Sequence, residues 1–238
     1  KFSGSAPDFS DIVNTNGVED DVQLVFVNGD FEIRAVNDVI ISGQIVTDGG
    51  TNKDAGNINI SAGKNIEVSG NALISAKGEG NNSDGGEIVL FADNDSALND
   101  NAVLDASAGT SGDGGFIEFS AKKNVGINGG DFKASATNGD AGSILIDPET
   151  LTLNFDEYTD GADMTFQADK TINVNGATIS SRQVAGGAGA NQELAASTGD
   201  SGDLTFDAPE INFNAGSKIL AHADNGFAAG DITADAHS

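Results

Sequence analysis

The residues of this chain whose types and spacing most clearly suggest chemistry are aspartates that recur beside small residues. They are Asp54, Asp84, Asp113, Asp140, Asp160 and Asp200. Carboxylate oxygens are the ligands that Ca²⁺ prefers, and this ion takes six to eight oxygens. If the fold stacks these side chains, their like charges repel one another and a bound cation relieves the repulsion. The spacing therefore predicts calcium ligands at these six positions.

The same aspartates can also be interpreted as turn residues. Asp before Gly forms tight turns in which the side chain accepts hydrogen bonds from nearby backbone N–H groups. The tandem Gly-Gly-x-Gly-x-Asp pattern of calcium-binding β-rolls does not occur in the sequence. We prefer the turn interpretation and keep calcium as the one cofactor that the sequence indicates.

The other reactive residue types do not form a catalytic pattern. The chain has no cysteine, and its arginines and histidines are Arg34, Arg182, His222 and His237. We expect these four side chains to lie on the surface. No Ser/His/Asp spacing and no phosphate-binding Gly-Lys-Ser loop occurs, so we predict that the chain is not an enzyme.

Aromatic residues give little indication of a sugar-binding platform. The chain has no tryptophan, and Tyr158 is its one tyrosine. Most phenylalanines fall at alternating strand positions, which favours a place in the core. Tyr158 together with Phe155 is the best candidate for a small contact surface.

A degenerate repeat of three short strands and a corner rich in glycine and aspartate recurs about every 28 residues. In one copy, the alternation of Ile58 with Ile60 and of Ile66 with Val68 predicts two strands with one buried face each. An alanine-rich third strand follows at 72–76. Alanine ends the first strand of most copies, at Ala35, Ala62, Ala92, Ala121, Ala168, Ala208 and Ala234.

Such a unit cannot bury its apolar faces alone, but stacked copies can. The sequence therefore predicts an all-β protein, a parallel β-helix (β-solenoid) with three short strands per coil and about seven to nine coils. A degenerate coil at Asp147 fills one long interval. The segment 154–163 interrupts the repeat as either a distorted coil or a small protrusion.

The repeat organises the chain into one continuous unit. Residues 1–26 are predicted to be an entry segment or partial coil, and residues 27–238 a continuous β-helix truncated at its C-terminal end. The corners vary in length, with long ones at 78–84 and 182–199. Because terminal coils expose strand edges, end-to-end self-association is expected.

Charge excludes two classes of partner. The net charge is −26, from 37 acidic and 11 basic residues. Phosphate groups are bound through Lys and Arg, so we expect no nucleic-acid binding and no binding to anionic membranes. No apolar stretch of about 18 residues occurs, so the sequence predicts no membrane span.

Three segments resemble the repeats of filamentous-haemagglutinin-type adhesins, which are giant proteins of bacterial two-partner secretion. They are 115–125 (GFIEFSAKKNV), 143–153 (SILIDPETLTL), and 185–187 (AGG) followed by 195–204 (AASTGDSGDL). The resemblance implies a right-handed parallel β-helix that is secreted to the bacterial cell surface or extracellular matrix. It also implies an outer-membrane transporter for the parent protein, and a glycan or receptor bound by its other parts. The Asn-Pro-Asn-Gly-Ile signature of the family's secretion domain is absent from this chain.

The function that we predict is that of a stalk segment of such an adhesin, for cell attachment or biofilm matrix. One alternative is a β-helical polysaccharide lyase or glycoside hydrolase, because that fold also serves those enzymes. Another is a calcium-stiffened matrix protein whose ends stack into filaments.

Overall fold

The computed structural model describes residues 12–13, 22–27, 30–184 and 195–237 of the chain. These residues form 24 strands and no helix. None of them therefore belongs to a helix capable of crossing a membrane. The all-β prediction is confirmed.

The strands follow one another in coils of three. Two strands precede the coils, β1 (Ile12–Val13) and β2 (Val22–Val27). The first four coils contain β3 (Asp30–Ala35), β4 (Val39–Ile41), β5 (Gln44–Val46), β6 (Ile58–Ala62), β7 (Ile66–Val68), β8 (Leu73–Ser75), β9 (Glu87–Ala92), β10 (Asp95–Leu98), β11 (Val103–Asp105), β12 (Phe116–Ala121), β13 (Asn124–Ile127) and β14 (Asp131–Lys133). Coils five to seven contain β15 (Ser143–Ile146), β16 (Thr150–Leu153), β17 (Glu157–Tyr158), β18 (Asp163–Gln167), β19 (Thr171–Val174), β20 (Thr178–Ser180), β21 (Leu204–Ala208), β22 (Glu210–Phe213) and β23 (Lys218–Leu220). The last strand, β24 (Ile232–Ala236), begins an eighth coil.

Equivalent strands of successive coils pair in parallel, so the chain is a parallel β-helix with three strands per coil. The first strands of the coils form one sheet from β3 to β24, and the second strands form another from β4 to β22. The third strands form two separate sheets, β5-β8-β11-β14 and β17-β20-β23. Seven complete coils lie within the predicted seven to nine. The right-handed sense that the resemblance implies also agrees with the general preference for right-handed crossovers between parallel strands.

Alternating apolar residues of the first strands form columns along the interior. One column consists of Phe31, Ile58, Ile88, Ile117, Ile144, Met164 and Leu204, which are paired from coil to coil and buried. A second column contains Phe166 and Phe206, whose rings stack with centroids 4.8 Å apart. Burial of each such side chain contributes about 1.5–3 kcal/mol. The fold is therefore stabilised by many similar contributions along its length.

The alanine positions confirm most of the predicted register. Ala35, Ala62, Ala92 and Ala121 are paired from coil to coil. The prediction for the last strand is wrong by one step of the alternation, because Ala236 pairs with Ala208 whereas Ala234 pairs with Phe206. Alternate residues of a strand face the same side, so alternation alone does not distinguish these two alanines.

The fifth coil is short and the next is long. The chain from Ile144 to its register partner Met164 is the shortest interval between paired first strands, and the chain from Met164 to Leu204 is the longest. The segment 154–163 is therefore a distorted coil, with β17 as its third strand, and not a protrusion. Gln183 of the long corner donates from Nε2 to the carbonyl oxygen of Ala136 in coil four at 2.8 Å. This bond joins the chain after coil six directly to the end of coil four.

The two ends of the stack differ. β2 pairs antiparallel with β3, and β1 pairs antiparallel with β4, so strands of opposite direction lie against the first coil. In the last coils, Phe213 and Ile232 are 45% and 50% exposed.

Some predicted features lie outside the described residues. These are the rest of the predicted entry segment, the side chain of Phe26 and the residues 185–194 of the long corner.

Candidate functional site

Four corner aspartates lie one above another and are linked through the backbone. The Asp84 N–H donates to Asp54 Oδ1 at 3.1 Å, and the Asp113 N–H donates to Asp84 Oδ1 at 2.8 Å. The Asp140 N–H donates in turn to Asp113 Oδ1 at 2.9 Å. We call these four residues the aspartate ladder. Each of the first three carboxylates satisfies a corner N–H of the next coil, so these bonds join coils and do not lie within one tight turn.

Asp160 and Asp200 occupy the same corner position in later coils but do not join the ladder. Asp160 Oδ1 accepts the Val184 N–H at 3.3 Å, and Asp200 Oδ1 accepts the Ala228 N–H at 2.7 Å. The unequal lengths of coils five and six separate the two from the ladder. Burial raises the pKa of Asp160, and the Val184 N–H and Lys133 partly offset this rise.

The aspartate ladder leaves few carboxylate oxygens free for a calcium ion. It offers one carboxylate per coil, and three of its four Oδ1 atoms already accept a backbone N–H. Among the described residues, no group of three or more His, Asp or Glu side chains could hold a metal ion. The ladder alone does not supply the six to eight oxygens that Ca²⁺ takes. Calcium binding stays a prediction.

Glycines beside the ladder allow the coils to approach closely. A Cβ atom on Gly86 would lie 2.1 Å from the carbonyl oxygen of Gly56, and one on Gly115 would lie 2.0 Å from that of Gly86. The same contact recurs at Gly142, at 1.9 Å from Gly115. These residues form a glycine column in which a larger side chain has no room. The spacing between coils therefore requires glycine at these corner positions.

A shallow groove of about 560 Å³ runs along the glycine column. Its polar wall contains Asn57, Glu87, Ser143 and Asp163, and Phe116 adds one aromatic ring. The strands that carry Glu87 and Asp163 lie three coils apart, or about 14 Å. Paired carboxylates of glycoside hydrolases lie roughly 5–9.5 Å apart. The groove is therefore not arranged for that chemistry.

Another set of carboxylates lies on the outer face of the first-strand sheet. Burial raises the pKa of Glu118, a hydrogen bond with Ser120 partly offsets the rise, and the charges of Asp147 and Glu87 add to it. Burial also raises the pKa of Asp147, with a contribution from Asp169. Sequence reasoning missed this pair because only the register of β12 and β15 brings the two together. Glu118 and Asp147 are the residues on which the enzyme alternative is best tested.

A row of five asparagines, which sequence reasoning missed, connects the ends of the second strands. The row consists of Asn99, Asn128, Asn154, Asn175 and Asn214, and each member after Asn99 donates from Nδ2 to Oδ1 of the asparagine one coil earlier, at 2.6–3.1 Å. We call this row the asparagine ladder. Its signal was present in the sequence, because in five successive coils an asparagine directly follows the last inward residue of the second strand.

The long corner is held by a buried arginine. Arg182 was predicted at the surface, which is wrong, because it is 1% exposed. It donates from Nε to the carbonyl oxygen of His222 at 3.0 Å, and from Nη2 to that of Ala195 at 3.1 Å and to Asp224 Oδ2 at 3.3 Å. These bonds tie coil six to coil seven. The predicted exposure of the other three, Arg34, His222 and His237, is confirmed.

The predicted contact surface of Tyr158 and Phe155 does not form. Phe155 is 44% exposed, but Tyr158 is buried, and its hydroxyl donates to Asp156 Oδ2 at 3.2 Å. The physical reason is the short fifth coil, which places Tyr158 in the third strand β17. The tyrosine therefore serves the fold at this coil.

One carboxylate lies inside the β-helix. The inward positions of the third strands are Ile45, Ile74, Leu104 and Phe132 in the first sheet, then Glu157, Ile179 and Ile219 in the second. Glu157 is 1% exposed, and neither of its carboxylate oxygens has a hydrogen-bond partner among the described residues. Burial raises its pKa well above the ordinary value, the charges of Asp131 and Asp156 add to the rise, and the nearby backbone N–H of Phe132 partly offsets it, although its geometry falls short of a hydrogen bond.

Comparison with protein-family models, with curated proteins and with solved structures returned no match for this chain. The resemblance to filamentous-haemagglutinin-type adhesins therefore stays a prediction from the three quoted segments.

Proposed function

We propose that this chain is a structural stalk segment of a secreted bacterial surface adhesin, acting in cell attachment or biofilm matrix. The observation that carries this proposal is the continuity of the stack. The first-strand and second-strand sheets run without interruption from coil one to coil seven. A solenoid of this kind works as a spacer whose length grows with the number of coils.

Side-chain ladders support the same role. The aspartate ladder spans the corners before coils two to five, and the asparagine ladder spans coils three to seven. Each bond joins one coil to the next, along the axis on which a stalk carries load. The net charge of −26 favours solubility and keeps neighbouring rods apart.

The partners in this proposal belong to the parent protein. An outer-membrane transporter exports it, and other parts of it bind a glycan or a cell-surface receptor. The groove along the glycine column is shallow, and its carboxylates are too far apart for paired catalysis, so ligand chemistry is assigned outside the coils. End-to-end self-association is also part of the proposal.

Electron microscopy of cells labelled with an antibody against this chain tests the proposal. We expect label on thin surface fibres, and a parent that carries this chain in duplicate should give fibres longer by about 34 Å, or seven coil spacings of about 4.8 Å. A compact particle, or label confined to the cell interior, would contradict the stalk role.

The enzyme alternative has its own test. The chain is incubated with acidic and neutral glycans, and reducing or unsaturated ends are measured. We expect no release. Release that disappears in Glu118→Gln or Asp147→Asn, but persists in the outer-face control Glu67→Gln, would replace the structural role with a catalytic one.

A further inference from the structure

Glu157 interrupts an otherwise apolar column at the place where the third-strand sheet also breaks. Its register partner Ile179 and the residue that precedes it in the column, Phe132, are both completely buried. β14 and β17 are adjacent in the stack but belong to separate sheets. Coils four and five are therefore joined by two sheets instead of three, and the carboxyl group lies at the missing connection.

The charged groups around Glu157 do not neutralise it. Asp131 of β14 and Asp156, which directly precedes β17, both oppose its ionisation. The paired strand β20 consists of Thr178, Ile179 and Ser180 and adds no charge. Lys133, the basic residue of β14, interacts instead with Asp160.

We propose that Glu157 makes the junction between coils four and five a protonation-controlled joint, closed while its carboxyl is neutral and loosened when the carboxyl is ionised. A neutral carboxylic acid is tolerated in an apolar column at modest cost, whereas an unpaired carboxylate there is strongly disfavoured. The ion gains solvation when β17 separates from β14. The joint follows from the fold and does not depend on the stalk role.

The sign of the pH dependence follows from linkage. In the unfolded chain the carboxyl titrates with a pKa of about 4.3, and burial, followed by Asp131 and Asp156, raises its pKa in the folded chain. Between these two values the folded state binds more protons, so its stability falls as pH rises. The stabilising effect of the proton is complete below the unfolded value and is lost above the folded one.

Hydrogen exchange of the full chain between pH 4 and pH 8, corrected for the intrinsic rate, tests the joint. We expect the protection of amides in β14 and β17 to fall by up to tenfold per pH unit within the titration window. Amides of β6 and β9, far from the junction, report the rest of the stack. Glu157→Leu continues the apolar column, and Glu157→Gln keeps the shape without the titration.

Both variants should lose the pH dependence at β14 and β17, while the outer-face control Glu67→Gln should keep it. The two variants differ in packing, so failure of one to fold leaves the other as the test. The joint is refuted if the wild type and a folded variant show the same pH dependence at these strands. It is also refuted if β6 and β9 lose protection as much as β14 and β17.

Discussion

Asn154 donates from Nδ2 to Oδ1 of Asn128 at 2.8 Å, and its own Oδ1 accepts from Asn175 at 2.8 Å. The three internal asparagines of the ladder, Asn128, Asn154 and Asn175, thus each use one donor and one acceptor along the stack axis. An amide side chain suits this position because it carries both functions without charge. The ladder continues through coil five although that coil is the shortest.

Replacing Asn154 with alanine should therefore weaken the stack. Asn154→Ala removes two hydrogen bonds, each worth about 0.5–1.5 kcal/mol, so we expect a loss of about 1–3 kcal/mol in the free energy of unfolding. Urea denaturation measures it. The control Asn81→Ala, on an exposed corner, should change stability by less than about 0.5 kcal/mol. Equal effects of the two substitutions would contradict the ladder's contribution.

The glycine column predicts a larger effect. In Gly115→Ala the new Cβ would lie 2.0 Å from the carbonyl oxygen of Gly86, and backbone of adjacent coils must move. We expect a loss of about 2–4 kcal/mol, measured by thermal or urea unfolding.

Gly50→Ala is the matched control for this substitution. A Cβ on Gly50 meets no atom within 4 Å. Gly50 has no positive φ, so alanine is not strained there. We expect the substitution to raise the free energy of unfolding by no more than about 1 kcal/mol. If both glycines tolerate alanine equally, coil spacing does not dictate corner composition.

The structure could be predicted from the sequence where the coils are regular, and less well where they are not. The column from Phe31 to Leu204 was predictable because period-two alternation and the recurrence of the three-strand repeat both reach the same register. Ala234 and Ala236 show the limit, since both satisfy the same alternation. The alternating pattern predicts which face of a strand is buried, but it does not determine which residues of neighbouring strands pair.

The candidate sites were less predictable because they depend on irregular coils. Glu157 enters the core only because coil five is shorter than its neighbours, and composition favours an exposed glutamate. The same expectation placed Arg182 at the surface, although its guanidinium is buried and donates to the carbonyl groups of Ala195 and His222. The aspartates were found by their residue types. The unequal lengths of coils five and six, which the types do not reveal, separate the four of the ladder from Asp160 and Asp200.

A chelator experiment addresses the calcium prediction. Three Oδ1 atoms of the aspartate ladder already accept N–H donors, so we expect the same melting temperature with calcium and with excess chelator. Calorimetry measures it. A rise in melting temperature with calcium that disappears in Asp113→Asn would establish a metal role for the ladder, because that variant keeps an acceptor oxygen but loses the charge.

The buried Arg182 gives the last prediction. Its guanidinium donates to two backbone carbonyls and to Asp224, so Arg182→Met leaves buried carbonyl groups without their donor. We expect a loss of about 2–4 kcal/mol, together with faster proteolysis within the long corner 182–199. Arg182→Lys should be more stable than Arg182→Met but less stable than the wild type, because a lysine ammonium cannot reproduce the planar set of donors of the guanidinium. Arg34→Met is the control, since its exposed pair with Glu32 is worth about 0–1 kcal/mol. Proteolysis elsewhere in the chain before the long corner is cut would contradict the role of Arg182 in tying coils six and seven together.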